Sequence, residues 1–388
     1  MSSSVPLAVV AVPGSRRLRL FTDAVRAAGR PDPVLLPWPE LAAGQVRVPP
    51  GALVRVDSPG EDAETARLLS GLDHAPDPYR VEGSAAFHAG LRAALDRLAA
   101  TVAATPGARL LQDVGDLAVM CDKRRCHARL DAAGVPVPPA LRGPVDTYAD
   151  LRARMAERGW SRVFVKPVHG SSASGVVALA ARPDRVHAVT SADLVRTGTG
   201  VELYNSLRIR TYTDEADVAA LVDTLCADGV HVERWLPKAG LHDRTIDLRV
   251  LVVAGRATHV VVRASKSPMT NLHLGNARGD LAALRDRMGE AAWRSAMRTA
   301  EAAAACFPRT LHAGVDLLLS PGWRSSAVCE VNAFGDLLPG VLHEGRDSYA
   351  EQLDAVFSGR FTPPPPATPH RARPDTAGTG EGTAVRAD

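Results

Sequence analysis

The sequence predicts an α/β domain, then a larger α+β region, then a disordered tail, and three observations carry that expectation. The chain opens on the apolar run Val5-Pro-Leu-Ala-Val-Val-Ala-Val, which enters the turn Pro13-Gly14 and then a helix-like stretch over residues 16–28. Strand, turn and helix in that order form the repeating unit of α/β architecture. Beyond Pro106-Gly107 the texture changes to short strand-like runs separated by glycine turns, and after Gly359 it changes again to Pro363-Pro-Pro-Pro and a polar mixture with nothing apolar to bury. Such a composition cannot offset the entropy of ordering and predicts disorder.

Within residues 1–108, Val34-Leu-Leu and Ala52-Leu-Val-Arg-Val-Asp57 read as further strands. Residues 61–69, behind the turn Ser58-Pro59-Gly60, read as a helix, and the Ala/Leu-rich residues 85–104 as a long one. In residues 109–358 the pattern predicts a helix over Lys123 to Ala132 that stops at Gly134. Strands follow at Val163-Phe-Val, Val176-Val-Ala-Leu, Val230-His-Val-Glu and residues 248–253, then one long helix over residues 281–306, then strands at residues 314–319 and 327–331. Residues 359–388 form the tail.

Composition narrows the function classes. The 388 residues exceed what one core usually holds, and 46% hydrophobic with 23% charged residues is ordinary for a globular protein. The net charge of +3 comes from interspersed Arg, Asp and Glu, so there is no basic footprint for nucleic acid. Five cysteines without a CxxC pair fit reduced thiols better than a disulfide frame or zinc site. The opening apolar run lacks a preceding basic region, and no run approaches the ~18 apolar residues of a membrane span. A soluble, cytoplasmic protein with no membrane partner is expected, and a homodimer is compatible with these features.

The most informative segment is Gly314-Val-Asp316-Leu-Leu-Leu, a turn through Ser320-Pro-Gly, and Ala327-Val-Cys-Glu330-Val-Asn332. It reads as a β-hairpin whose pivot sets Asp316 across from Glu330, with Asn332 on the same face by the period-two alternation of strands. Three oxygen donors among Val and Leu suit a hard Mg²⁺ ion that completes its shell with water and phosphate oxygens. An exposed surface hairpin would carry the same three residues, so their company decides.

That company includes Lys166, at the end of the strand Val163-Phe-Val-Lys-Pro, and the loop His169-Gly-Ser171-Ser172-Ala-Ser-Gly175, whose small residues expose backbone amides to phosphate oxygens. Lys123 opens a helix, where anions are favoured. In Glu233-Arg-Trp-Leu236-Pro-Lys238 a strand offers a carboxylate and exposed backbone to the edge of a base, although a surface glutamate is the commoner explanation. Asp247 and Arg249 share one side of a strand, as an ion pair also would. Arg263, Lys266, Asn271 and His273 follow in a polar segment.

These elements, in this order, resemble the ATP-grasp superfamily, especially the branch of ribosomal-protein-S6 glutamate ligase and glutathione synthetase. The resemblance spans roughly residues 110–342. It implies a pre-ATP-grasp α/β domain followed by an ATP-grasp fold of two α+β subdomains, with a lid over about residues 135–232. It also implies ATP and Mg²⁺, with Mn²⁺ an acceptable substitute. Lys123 and Lys166 would meet the phosphates, Ser171, Ser172 and Gly175 would close over them, and Glu233, the Leu236 backbone and Lys238 would hold the nucleoside. Asp316, Glu330 and Asn332 would bind the metal. Arg249, with Lys166, would be catalytic, and Arg263, Asn271 and His273 would face the substrate. Three departures stand out: Ala173 replaces a frequent glycine, Arg234 replaces a frequent acid, and Leu274 and Asn276 interrupt a segment that is usually Arg-Gly-Gly.

The implied activity is ligation of a carboxylate, small or peptidic, to an amine or thiol through an acyl phosphate, giving ADP and phosphate. A phosphotransferase using the same pocket, or a non-catalytic ATP-binding module, are the alternatives. The sequence names neither substrate.

Overall fold

The computed structural model describes residues 5–60, 62–198, 200–334 and 338–365; the His273 side chain lies outside the described residues. β1 (Leu7–Ala11) is five consecutive buried residues, as expected of a strand covered on both faces. Ser15 then caps α1 (Arg16–Ala27) by accepting a hydrogen bond from the Leu18 amide. β2 (Val34–Pro37), α2 (Trp38–Ala42), β3 (Leu53–Val56), α3 (Ala63–Ser70), α4 (Ser84–Ala104) and β4 (Arg109–Leu110) follow. The four strands are parallel in the order β2-β1-β3-β4. The winding therefore reverses between β1 and β3, which opens a crevice at their carboxyl ends.

Two helices come next: α5 (Val114–Met120), capped by Asp113, and α6 (Lys123–Ala132), capped by Asp122 over the span the sequence predicts. α7 (Tyr148–Glu157) leads into an antiparallel sheet of β5 (Arg162–Pro167), β6 (Val177–Arg182), β7 (Arg185–Thr197), β8 (Gly200–Tyr212) and β9 (Val230–Arg234), ordered β8-β7-β6-β5-β9, with α8 (Glu215–Ala227) between the last two in sequence. Val163, Val165, Val177 and Leu179 pack with Leu151, Leu221 and Leu225 of α7 and α8 into a core of their own. Phe164 and Lys166, on the alternate positions, face the other way. The long β7–β8 hairpin has half-exposed strands with no apolar run, so the sequence pattern does not announce it.

The third sheet contains β10 (Gly240–Leu241), β11 (Arg244–Val253), β12 (Arg256–Ser265), β13 (Ala277–Arg278), β14 (His312–Leu319) and β15 (Ser326–Asn332), ordered β13-β12-β11-β14-β15 with β10 beside β11. The single helix expected over residues 281–306 is two, α9 (Leu281–Met288) and α10 (Glu290–Ala305). Gly289, at φ +75°, ends the first and begins the second. After α11 (Ser348–Phe357) the packed chain continues past Gly359, because Phe361 is buried in the apolar cluster that holds Phe21 and Tyr349. The expected tail thus starts too early, and its residues 366–388 lie outside the described residues.

One apolar cluster runs from Ala8, Val10 and Trp38 through Ile246, Val250 and Val315, so the first and third sheets share a core. The middle sheet is tied to them by specific polar contacts. The Val81 amide donates to Leu203 O at 3.0 Å and the Asn205 amide to Tyr79 O at 2.6 Å. Asp228 accepts from the Gly83 and Ser84 amides at 2.5 and 3.0 Å, placing a carboxylate on the amino end of α4. Among the described residues no helix is long and apolar enough to cross a membrane, and all five cysteines are free.

Candidate active site

The hairpin of β14 and β15 pairs Asp316 with Glu330 and Gly314 with Asn332. Immediately after Asp316 the register shifts, so that Leu317 pairs with Val328 and Cys329 is the extra residue. A bulge re-aims side chains. Here Cys329 turns to the same side as Glu330, and both line a cleft between the middle and third sheets. The bulge could not be read from sequence, and it adds a thiol to the cleft.

The opposing wall comes from β5, β9 and the loop after β5. Lys123, at the start of α6, ties the two walls together: its Nζ donates to Gly170 O and lies 2.9 Å from Glu330 Oε1. Lys166 lies 2.5 Å from Glu233 Oε1 and 3.2 Å from the Cys329 sulfur. Nε2 of His231 stands 3.4 Å from the other Glu233 oxygen. On the third sheet a chain of charges runs along the cleft floor. Lys238 Nζ is 3.1 Å from Asp247 Oδ2 and 2.9 Å from Thr270 Oγ1. Arg263 then joins Asp247 at 2.7 Å to Asp316 at 3.1 Å, and Arg249 grips Asp316 with two nitrogens. The register explains this order, since Asp247 pairs with Arg263 across β11 and β12 and Arg249 with Asp316 across β11 and β14.

These groups set one another's ionisation. Burial alone would raise the Glu233 carboxyl, yet the Lys166 ammonium brings it down to about 2. Burial likewise opposes charge on Lys166, while a Cys329 thiolate and Glu233 would both favour it. Because burial pushes the Cys329 thiol up to about 11, it is neutral at pH 7, and Glu233 is what holds Lys166 protonated. Against the cost of burial, Arg263 and Lys238 depress Asp247, and Arg249 and Arg263 depress Asp316. Both remain carboxylates at neutral pH.

Of the residues singled out from sequence, Lys123, Lys166, Glu233, Leu236, Lys238, Arg263, Asn271, Asp316 and Glu330 all line the cleft. Arg249 reaches it through Asp316. Asn332, two residues past Glu330, donates its amide to Gly314 O at 3.3 Å. The loop after Lys166 differs from expectation. Gly170, Ala173 and Ser174 form the wall, whereas Ser171 and Ser172 are exposed. The cause is local: Ser172 and Ala173 take φ of +53° and +60°, a tight left-handed turn that carries residues 171 and 172 outward. Gly175, also expected at the phosphates, is buried beneath the turn. A Cβ there would stand 2.6 Å from Val81 and 3.0 Å from Pro167, so its glycine answers a packing need. His273 lies outside the described side chains, and Lys266 is exposed beside Asp243. Sequence reasoning missed Phe164, Val176, Met269 and Leu318, which give the cleft apolar surfaces, and Thr270, whose hydroxyl donates to Asp247.

The donor set tests the expected metal. Asp316, Glu330 and Asn332 offer oxygen and no sulfur or imidazole, and among the described residues no three His, Cys, Asp or Glu cluster in a metal-binding arrangement. Two carboxylates and one amide fit a hard cation that takes its remaining ligands from phosphate and water, and do not fit an all-protein zinc cage.

No known family profile and no curated protein matches the sequence. Solved structures do match. The D-cycloserine synthetase DcsG superposes with a TM-score of 0.55 at 18% identity, covering 89% of this chain and 98% of that one. The ATP-grasp ligase PsnB with its minimal precursor gives 0.51 at 17% identity, covering 92% and 99%. The macrocyclase MdnC of Microcystis aeruginosa MRC, bound with precursor peptide MdnA, gives 0.51 at 11% identity, covering 91% and 99%. The match runs over nearly the whole chain, so the chain shares the fold of these solved structures, an ATP-grasp ligase among them.

Proposed function

We propose that the chain is an ATP-dependent ligase that activates a carboxylate as an acyl phosphate and passes the acyl group to an amine or thiol. One observation carries the proposal: three lysines, Arg263 and four carboxylates from separate elements line a single cleft with apolar walls, with Arg249 behind Asp316. A carboxylate approaching a triphosphate meets like charge, so cations must be fixed in advance where the transferred phosphoryl group will sit. Lys123, at the amino end of α6, and Lys166 supply them on one wall, with Arg249 and Arg263 on the other. Phe164, Val176, Met269 and Leu318 suit the faces of adenine, with Glu233 and Leu236 at its edge.

In the first step the substrate carboxylate oxygen bonds to the γ-phosphorus and ADP leaves. In the second the nucleophile attacks the acyl carbon, phosphate departs with the bonding pair, and the nucleophile gives up its proton. Mg²⁺, held by Asp316, Glu330 and Asn332, would neutralise phosphate charge during transfer. Asp316 is oriented in advance by Arg249 and Arg263 and Glu330 by Lys123, so little reorganisation accompanies the reaction. The names of the solved neighbours, a synthetase, a ligase and a macrocyclase, support joining chemistry over simple phosphorylation.

The test is an ADP-release screen pairing carboxylic acids with amines and thiols, with product mass recorded. Glu330→Gln and Asp316→Asn should cut Mg²⁺-dependent turnover by at least about 10²-fold. Glu330→Gln is the cleaner variant, because its side chain is 30% exposed and that of Asp316 only 7%. Phosphorylated acid without any joined product would favour the phosphotransferase, and full turnover in both variants would refute the ligand assignment.

A further inference from the structure

The cleft described so far has a direction that the strand register measures. Residues 318, 316, 314 and 312 of β14 share one face. Leu318 and Asp316 line the cleft, Gly314 contributes no side chain, and His312 comes next. On β15 the parallel series is Glu330, Asn332 and, just past the strand, Phe334. At ~3.3 Å per residue, His312 and Phe334 lie roughly 13 Å beyond the metal-ligand pair, at the end away from the adenine surfaces.

That end abuts the crevice at the carboxyl ends of β1 and β3, where open α/β sheets take ligands. Arg17, in the first turn of α1, donates to Phe334 O at 3.1 Å and lies 3.4 Å from Asp57 Oδ1. Arg55 is 1% exposed, with one guanidinium nitrogen 3.1 Å from Asp57 Oδ2 and its carbon 5.0 and 5.3 Å from the rings of Phe21 and Tyr349. His312 is 2% exposed, and neither of its ring nitrogens has a hydrogen-bond partner among the described residues. Burial, then Arg55 and Arg17, hold its imidazole well below the ordinary histidine range and therefore neutral. Arg55 Nη2 likewise has no hydrogen-bond partner among the described residues, while Nη1 faces Asp57 Oδ2 and Nε donates to Gln352 Oε1 at 3.5 Å.

Among the described residues, the cluster sets two guanidinium groups and a neutral imidazole against one carboxylate, beside the amino end of a twelve-residue helix. Buried polar groups left without partners are costly, and a surplus positive charge at a helix amino end calls for an anion. Nothing in the nucleotide or metal chemistry uses these residues.

We propose that this cluster is a second anion site, with Arg17 as the direct anchor, which holds the unreacting α-carboxylate of an amino acid or short peptide whose reactive end reaches the cleft. The assignment rests on the ligase reading for its orientation, but the anion binding stands on its own. A guanidinium fork meets a carboxylate with two parallel hydrogen bonds, and loss of such charge-assisted bonds weakens binding by about 10- to 100-fold.

The experiment is a thermal-shift and calorimetric screen of the full chain with the twenty amino acids, a set of dipeptides and the carboxamide of each, with and without Mg·AMPPNP. At least one acid should raise Tm while its carboxamide does not. Arg17→Gln should raise the Kd of that acid about 10- to 100-fold, Arg17→Lys should retain part of the affinity, and the shift caused by nucleotide alone should persist in both variants, showing that they fold. The proposal is overturned if no acid stabilises the parent chain, if carboxamides do so equally, or if Arg17→Gln binds the acid as tightly. The ligase reading fails on a different readout, namely absence of nucleotide binding or of ADP formation.

Discussion

Glu233→Gln isolates the charge pair at the base of the cleft. Glu233 is 2% exposed and sits 2.5 Å from Lys166, and its pKa falls from the ordinary 4.5 to about 2. That fall is worth about 3 kcal/mol of folding stability at neutral pH. The folded pKa is the lower one, so this stabilisation is fully present above about pH 4.5 and is lost as pH falls toward 2. Roughly half of it remains at pH 3. The amide keeps the shape of the side chain but leaves the Lys166 ammonium buried without a counter-charge, a change that typically costs several kcal/mol. Urea denaturation of nucleotide-free protein at pH 7 and pH 3 reads both quantities. The variant should lose about 3 kcal/mol at pH 7 and roughly half of that at pH 3. A loss below about 1 kcal/mol at pH 7, or an equal loss at both pH values, would refute the account of Lys166 and Glu233 as a coupled buried pair.

Lys166→Met should weaken AMPPNP binding about 10- to 100-fold by calorimetry, because a buried point charge is removed from the nucleotide wall; unchanged affinity would take Lys166 out of the site. Gly175→Ala should destabilise the chain by about 2–4 kcal/mol in the same denaturation assay. The new Cβ meets Val81 at 2.6 Å and φ is +67°, where an L side chain is strained. A change within about 0.5 kcal/mol of the parent would mean that the loop yields freely. The losses expected of Glu330→Gln, Asp316→Asn and Arg17→Gln complete the set, and the last should leave nucleotide binding intact.

What the sequence determined by itself was whatever depends on local order. Five buried residues in a row before a glycine turn specify β1 and its passage into α1, and the Asp122 cap with Gly134 beyond the end delimits α6. Alternation sets Glu330 and Asn332 on one face of their strand, because strand periodicity is intrinsic to the backbone, whereas the pairing of Asp316 with Glu330 also depends on the bulge at Cys329. The tertiary structure alone decided how charges from distant segments are shared. Asp247 and Asp316 lie 69 residues apart in number yet are bridged by Arg263, and Lys123 joins Gly170 to Glu330. Such partners depend on sheet order and register between segments far apart in the chain. For the same reason the bulge at Cys329, the outward turn of Ser171 and Ser172, and the meeting of Arg17 with Phe334 leave no periodic trace in the sequence. Periodicity reports which face of its own element a residue occupies, and only packing reports what stands opposite that face.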